Sequence, residues 1–106
     1  PSHLAPISVA VLPLLKKDGL NERARDLFND LKTTYTCHYE EKDSIGKRYR
    51  RQDAIGTPFC VTIDHQSLED DTVTIRYRDT MVQKRVSAIN IRSIIAEKVN
   101  FSKYLS

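Results

Sequence analysis

The sequence predicts an α/β domain: a mixed five-stranded sheet carrying three helices on its two faces. Three observations predict it. Apolar, β-branched runs alternate with amphipathic stretches as far as Asp64, the pattern of parallel strands joined by right-handed crossovers. Two further strand-like runs follow after short turns, which builds antiparallel hairpins. A last amphipathic stretch then closes the chain.

"ISVAVL" at 7–12 reads as a buried strand, closed by Pro13 and a "KKDG" turn. Leu20, Ala24, Leu27, Phe28 and Leu31 recur at helical spacing, which predicts an amphipathic helix over about 20–34. "YTCHYE" at 35–40 alternates and is a second strand. Asp43 or Ser44 can cap a helix starting at Ile45, and Gly56 suits the left-handed position that ends it. "PFCVTID" at 58–64 is the third strand, "HQSLEDD" a turn, and "TVTIRYR" at 72–78 the fourth strand. "DT" then makes a tight turn into a fifth strand, "MVQKRVS" at 81–87. Ile91, Ile94, Ile95 and Val99 mark a final helix, and "NFSKYLS" after it is expected to fray. The expected strand order is 2-1-3-4-5.

The 106 residues suffice for one domain, residues 1–106, with a single modest core over about 5–99. The apolar fraction of 40% supports that core. No apolar stretch reaches membrane-spanning length, and the start shows neither a basic leader nor a small-residue cleavage pattern. Cys37 and Cys60 fall in strand-like, non-adjacent runs without CxxC or Cys/His ligand spacing. They read as small hydrophobes in a reducing, cytoplasmic compartment. A thiol oxidoreductase would need a paired motif that is missing. His3, His38 and His65 have no evident metal partners, and no phosphate loop or nucleophile elbow is present. No catalytic residue, metal ligand or cofactor site is expected on this chain.

The net charge of +3 permits nucleic-acid binding without demanding it. It is unevenly spread: Lys47, Arg48, Arg50 and Arg51 crowd one turn and a half of the second helix. On a wheel of 100° per residue, Ile45, Tyr49, Gln52 and Ile55 face the sheet. Lys47, Arg50 and Arg51 point away, with Arg48 at the margin. Most such runs are solvated helix faces. The neighbouring strands favour a polyanion: one sheet face is apolar, while the other presents Thr62, Thr74, Arg76 and Arg78. Lys47 is expected to overlook Thr62 and Arg78, with His65 nearby. Such a concave site suits unpaired bases, with cations on the phosphates. Asp53 is expected to pair with a neighbouring arginine.

"APISVAVLPL", "KDSIGKRYRRQDAIGTPFCVTID" and "TVTIRYRDTMVQKRV" closely resemble the C-terminal anticodon-binding domain of the homodimeric type of glycyl-tRNA synthetase, over about Ala5 to Val99. The resemblance implies the class II synthetase anticodon-binding fold and a glycine tRNA partner. It also implies a homodimeric parent that charges tRNA using ATP and magnesium, with its catalytic domain preceding Pro1. The isolated domain is expected to be a monomer. The family's base-reading residues fall on Lys47, Thr62, His65 and Arg78. Lys47 and His65 depart from the Arg and Phe that related sequences carry there. Arg48, Arg50, Arg51 and Arg76 are the expected phosphate-binding or supporting cations. The alternative is a non-catalytic interaction module on the same fold, such as a domain of a polymerase accessory subunit.

Overall fold

A computed structural model describes the backbone of residues 8–105 and the side chains of residues 8–99. His3 lies outside the described residues, as do the side chains of 100–106, but the backbone of the expected fraying end continues as helix to Leu105. The elements are β1 (Ser8–Pro13), α1 (Leu20–Leu31), β2 (Thr36–Tyr39), α2 (Ile45–Ile55), β3 (Phe59–Ile63), α3 (His65–Asp70), β4 (Thr72–Tyr77), β5 (Gln83–Ser87), a 3-10 turn at Ala88–Asn90, and α4 (Ile91–Leu105).

The strands form one sheet in the expected order β2-β1-β3-β4-β5. β1 runs parallel to both β2 and β3, whereas β3–β4 and β4–β5 are antiparallel. Cys37 and Cys60 are separated by β1, and both are free thiols. Alternation along the strands divides the core. Val9, Val11, Phe59, Val61, Ile63, Val73 and Ile75 face α1 and α4, which contribute Leu20, Ala24, Leu27, Leu31, Ile91 and Ile95. On the opposite face the buried apolar cluster among the described residues is Ala10, Leu12 and Cys60, with Ile45 and Tyr49 of α2 packed against it. The reversal of direction after β2 puts α2 on the face opposite α1, as a right-handed crossover requires.

Two boundaries differ from the sequence reading. "HQSLEDD" is not a simple turn but a short fourth helix. The Asp64 carboxylate accepts the Ser67 N–H at 3.1 Å while Ser67 Oγ accepts the Asp64 N–H at 3.0 Å, a reciprocal cap. The β4–β5 connection is also wider than the expected two-residue turn. A tight hairpin needs positive φ at positions usually given to Gly or Asn, and Asp79-Thr80 offers neither. The chain instead uses Arg78 to Val82, with Met81 at φ 59. Tyr77 N–H bonds the Val82 carbonyl at 2.9 Å to close it.

Candidate nucleic-acid interface

The basic helix is set by its two ends. Ser44 is the N-cap, its hydroxyl accepting the Lys47 N–H at 3.3 Å, and Gly56 at φ 82 ends α2 in the left-handed conformation. With so small an apolar cluster beneath it, α2 is seated largely by polar contacts. Buried Gln52 donates to Glu40 Oε2 at 2.5 Å and accepts from the Thr57 hydroxyl at 2.6 Å.

The four clustered cations have four different surroundings. Arg48 is not at the margin of an exposed face, as the wheel suggested; it is 1% exposed. Its guanidinium donates to the carbonyls of Pro13 (2.5 Å), Leu14 (3.1 Å) and Glu40 (3.1 Å), where β1 and β2 leave the sheet. Those carbonyls have run out of neighbouring strand, and a long cationic side chain fills the gap. Burial pushes its pKa down, with Glu40 opposing, but a guanidinium stays charged in a protein. Arg51 is exposed but engaged: Nε meets Glu40 and a terminal nitrogen meets Asp43, both at 2.8 Å, with the Lys42 carbonyl at 3.1 Å. Its expected freedom for phosphate is therefore corrected to a clamp on the loop before α2. Lys47 and Arg50 are exposed, and neither makes an ion pair among the described residues.

Lys47 does not overlook Thr62. It lies two residues before Tyr49, about 160° around the helix from it, and Tyr49 holds that position instead. The Tyr49 hydroxyl meets Thr62 Oγ1 at 2.5 Å, and Thr62 is 5% exposed. Burial raises the Tyr49 pKa. Thr62 is thus covered by α2 rather than presented to solvent.

Beyond α2 the sheet face is polar and open. Register puts Thr62 opposite Thr74 and Cys60 opposite Arg76 on β4, and in turn Thr74 opposite Arg85 and Arg76 opposite Gln83 on β5. Opposed residues share a face. Arg76 forms a two-pronged pair with the Asp53 carboxylate at 2.7 and 2.9 Å and lies 5.1 Å from the Tyr49 ring centroid. The Arg76 hydrogen bonds hold the Asp53 carboxyl below its ordinary range, against the opposing effect of burial. The expected pairing of Asp53 is present. Arg85 pairs with Asp64 and donates to Thr72 Oγ1 at 2.9 Å. Burial alone would raise the Asp64 carboxyl, but Arg85 and Ser67 together hold it low. Arg85 was missed in the sequence; the β4–β5 register that aims it depends on a loop length that composition did not reveal.

Arg78 stands apart. Its N–H bonds the Pro58 carbonyl at 3.0 Å, just before β3, and its Nε bonds the Asp53 carbonyl at 2.9 Å. Its two terminal nitrogens have no protein partner among the described residues. Thr62 is four strand residues farther along β3 than Pro58, about 13 Å. The expected shared site for Thr62 and Arg78 is therefore two places. His65, at the other end with Thr62, contacts Asp18 at 2.9 Å, and both side chains are exposed. Among the described residues, no group of three or more His, Cys, Asp or Glu is placed to hold a metal, and no helix is long and apolar enough to cross a membrane.

A family model described as "Anticodon binding domain" matches residues 8–98. The chain is 53% identical over 97 residues to a glycine–tRNA ligase of Treponema denticola, covering 92% of this chain and 22% of that protein. It is 49% identical over 96 residues to the glycine–tRNA ligase of Chlorobaculum tepidum, covering 91% and 20%. The chain thus spans about a fifth of the length of these curated relatives. Among solved structures, the RNA binding domain of threonyl-tRNA synthetase from Cryptosporidium parvum superposes with a TM-score of 0.74 at 18% identity, over 87% of this chain and 23% of that one.

Proposed function

This chain belongs to the anticodon-binding domain family, and we propose that it reads the anticodon loop of glycine tRNA as one part of a longer glycine–tRNA ligase. The observation that carries this reading is an open polar sheet flank and three cations with donors left free among the described residues. Lys47 and Arg50 project from the outward face of α2, and Arg78 holds out a guanidinium fork.

The roles follow from the surroundings. Lys47 and Arg50 attract phosphate oxygens, a contact that carries no base information. Arg78 keeps two terminal donors for a base edge, with its Nε already fixed. His65 offers an exposed ring for stacking. Arg48, Arg51 and Arg76 act by positioning α2 and its flanks, and Thr62 acts through Tyr49. Because Arg78 and the His65 end lie apart, they serve different nucleotides of the loop. ATP- and magnesium-dependent transfer of glycine belongs to the remainder of the parent enzyme, and this domain holds the tRNA for it. The parent is a cytoplasmic homodimer in this reading.

Binding of glycine tRNA, and of the same tRNA with one anticodon cytosine replaced, measured at several salt concentrations, tests the assignment. Arg78→Ala should cost about 1–3 kcal/mol and narrow the gap between the two RNAs. Arg50→Ala should weaken both similarly and reduce the salt slope by about one. Equal, non-selective losses for the two variants would refute base reading by Arg78.

A further inference from the structure

The sheet has two outer strands, and they are guarded differently. β5, on one side, carries Lys84 and Arg85, and cationic side chains on an outer strand oppose pairing with another chain. β2, on the other side, reads Thr-Cys-His-Tyr and carries no Lys, Arg, Asp or Glu. It pairs with β1 alone among the described residues. Just past its end, the Glu40 N–H bonds the Val11 carbonyl at 3.4 Å. Backbone groups of successive strand residues point to opposite sides. His38 therefore also faces β1, and Cys37 and Tyr39 hold their N–H and C=O groups outward.

A groove of about 600 Å³ runs along this edge, between β2 and the last turn of α2. Cys37, His38 and Tyr39 line one side, and Ala54 and Ile55 line the other. Asp53 reaches toward β4, where it meets Arg76. Ile55, two residues on, lies about 200° around the helix and so projects on the β2 side, with 66% of its surface exposed. An unpaired strand edge beside an apolar wall is the form that takes an added strand: main-chain bonds to the edge, side chains into the groove.

We propose that, in the longer ligase, an extended segment of the polypeptide outside these 106 residues adds to β2 as a sixth strand and covers Ile55. The inference rests on the chain being one part of a longer ligase. It goes beyond the RNA-reading assignment, which uses none of the groove residues.

Three arguments favour this occupant over a second copy or a separate partner. The chain spans about a fifth of the length of its curated relatives, so most of such a ligase lies outside it. Register sets Ser8, where β1 begins, opposite Thr36, where β2 begins, and Val9 opposite Phe59 at the start of β3. β1 is thus entered at the end of the sheet where α2 finishes and Ile55 stands. Finally, four residues of edge offer few main-chain bonds to a free partner, whereas a covalently linked segment meets them at an effective concentration reaching millimolar. The groove also leaves RNA its own ground. Lys47 and Arg50 project from the outward face of α2, and Arg78 is fixed on the Asp53 carbonyl at the β4 side.

Amide hydrogen exchange, read by mass spectrometry, compares the isolated chain with the full-length ligase. Peptides covering Thr36–Tyr39 should exchange about tenfold or more slowly in the full-length enzyme, while peptides covering Gln83–Ser87 exchange alike in both. Ile55→Glu should restore fast exchange at β2 in the full-length enzyme and leave the urea midpoint of the isolated chain nearly unchanged, since Ile55 is exposed there. Equal exchange at β2 in the two forms would overturn the proposal, as would protection that survives Ile55→Glu. Protection that appears in the isolated chain as its concentration rises would make a second copy the occupant, and protection that needs added tRNA would make RNA the occupant; either refutes it. Charging of glycine tRNA by the full-length enzyme is measured alongside. If that activity is missing, the functional reading fails, and the exchange comparison still decides the groove.

Discussion

Arg48 and Arg50 are two residues apart in one basic run, and the structure assigns them opposite consequences. Replacing Arg48 by Ala leaves the Pro13, Leu14 and Glu40 carbonyls without the donors that now satisfy them at 2.5 to 3.1 Å. A buried polar group left without a partner costs about 1–3 kcal/mol. Three in one pocket share relaxation and entering water, so the sum is less than three independent penalties. The expected loss is about 3–5 kcal/mol, below the sum of three such penalties at about 1–3 kcal/mol each. A domain of this size has about 5–15 kcal/mol in total, so Arg48→Ala should be severely destabilised. With a urea slope of about 1–1.5 kcal/mol per molar, the midpoint should fall by about 2 M or more. Arg48→Lys should recover only part of this, because one ammonium cannot span three carbonyls as the planar fork does. Arg50→Ala should stay within about 0.5 kcal/mol of the wild type. The assay is urea unfolding followed by circular dichroism, with slopes compared to confirm that stability has changed. An Arg48→Ala midpoint matching that of Arg50→Ala would refute the burial argument.

Three further outcomes are expected. The Asp53 carboxyl is held low by Arg76, so its contribution to stability is present above the ordinary carboxylate pKa and is lost as pH falls through the depressed folded value. Asp53→Asn should therefore lose less stability than the wild type between pH 6 and pH 3, and parallel acid limbs would contradict this. Burial pushes the Cys60 thiol up to about 11 and raises Cys37 as well; Ellman's reagent at neutral pH should leave Cys60 unmodified in the folded chain and label it in urea, and rapid native labelling of Cys60 would be the contrary result. The isolated chain should sediment as a monomer at micromolar concentration, because both outer strands are short and β5 carries Lys84 and Arg85, which oppose edge pairing. A tight dimer would overturn this.

Much of the fold was legible because it depends on local patterns. Alternation in β3 and β4 sorted Phe59, Val61, Val73 and Ile75 from Cys60, Thr62, Thr74 and Arg76 without reference to any partner. Ser44 and Gly56 bounded α2 through backbone geometry that a short window contains. The site was less legible because it depends on ends and on charges far apart in sequence. A helical wheel gives the direction of Arg48 but not the bare carbonyls waiting there. Nor does it show that Asp43 and Glu40 fold back onto Arg51. The β3–β4 register, which sets Arg78 beside Pro58 and away from Thr62, depends on pairing between strands, and the wide β4–β5 loop rests on Met81 adopting a left-handed conformation that no sequence signal announced.

The division of labour in the basic run follows from this. Arg48, Arg51 and Arg76 are each held by partners within the protein, although the buried Nε of Arg48 has none among the described residues, so they add little to the field that a polyanion meets. They fix α2 against the loops at both its sides, where the small apolar cluster of Ala10, Leu12 and Cys60 could not hold it alone. Lys47, Arg50 and Arg78 are then carried on a rigid support, and rigidity limits the side-chain ordering that binding must impose. The same composition with every cation free would attract RNA more strongly and hold it in less defined register. On this argument, loosening α2 through Arg51→Ala should leave the low-salt affinity for any RNA nearly unchanged, because no phosphate contact is removed, yet narrow the preference for the glycine anticodon. A uniform fall in affinity with the preference intact would mean that Arg51 binds phosphate after all.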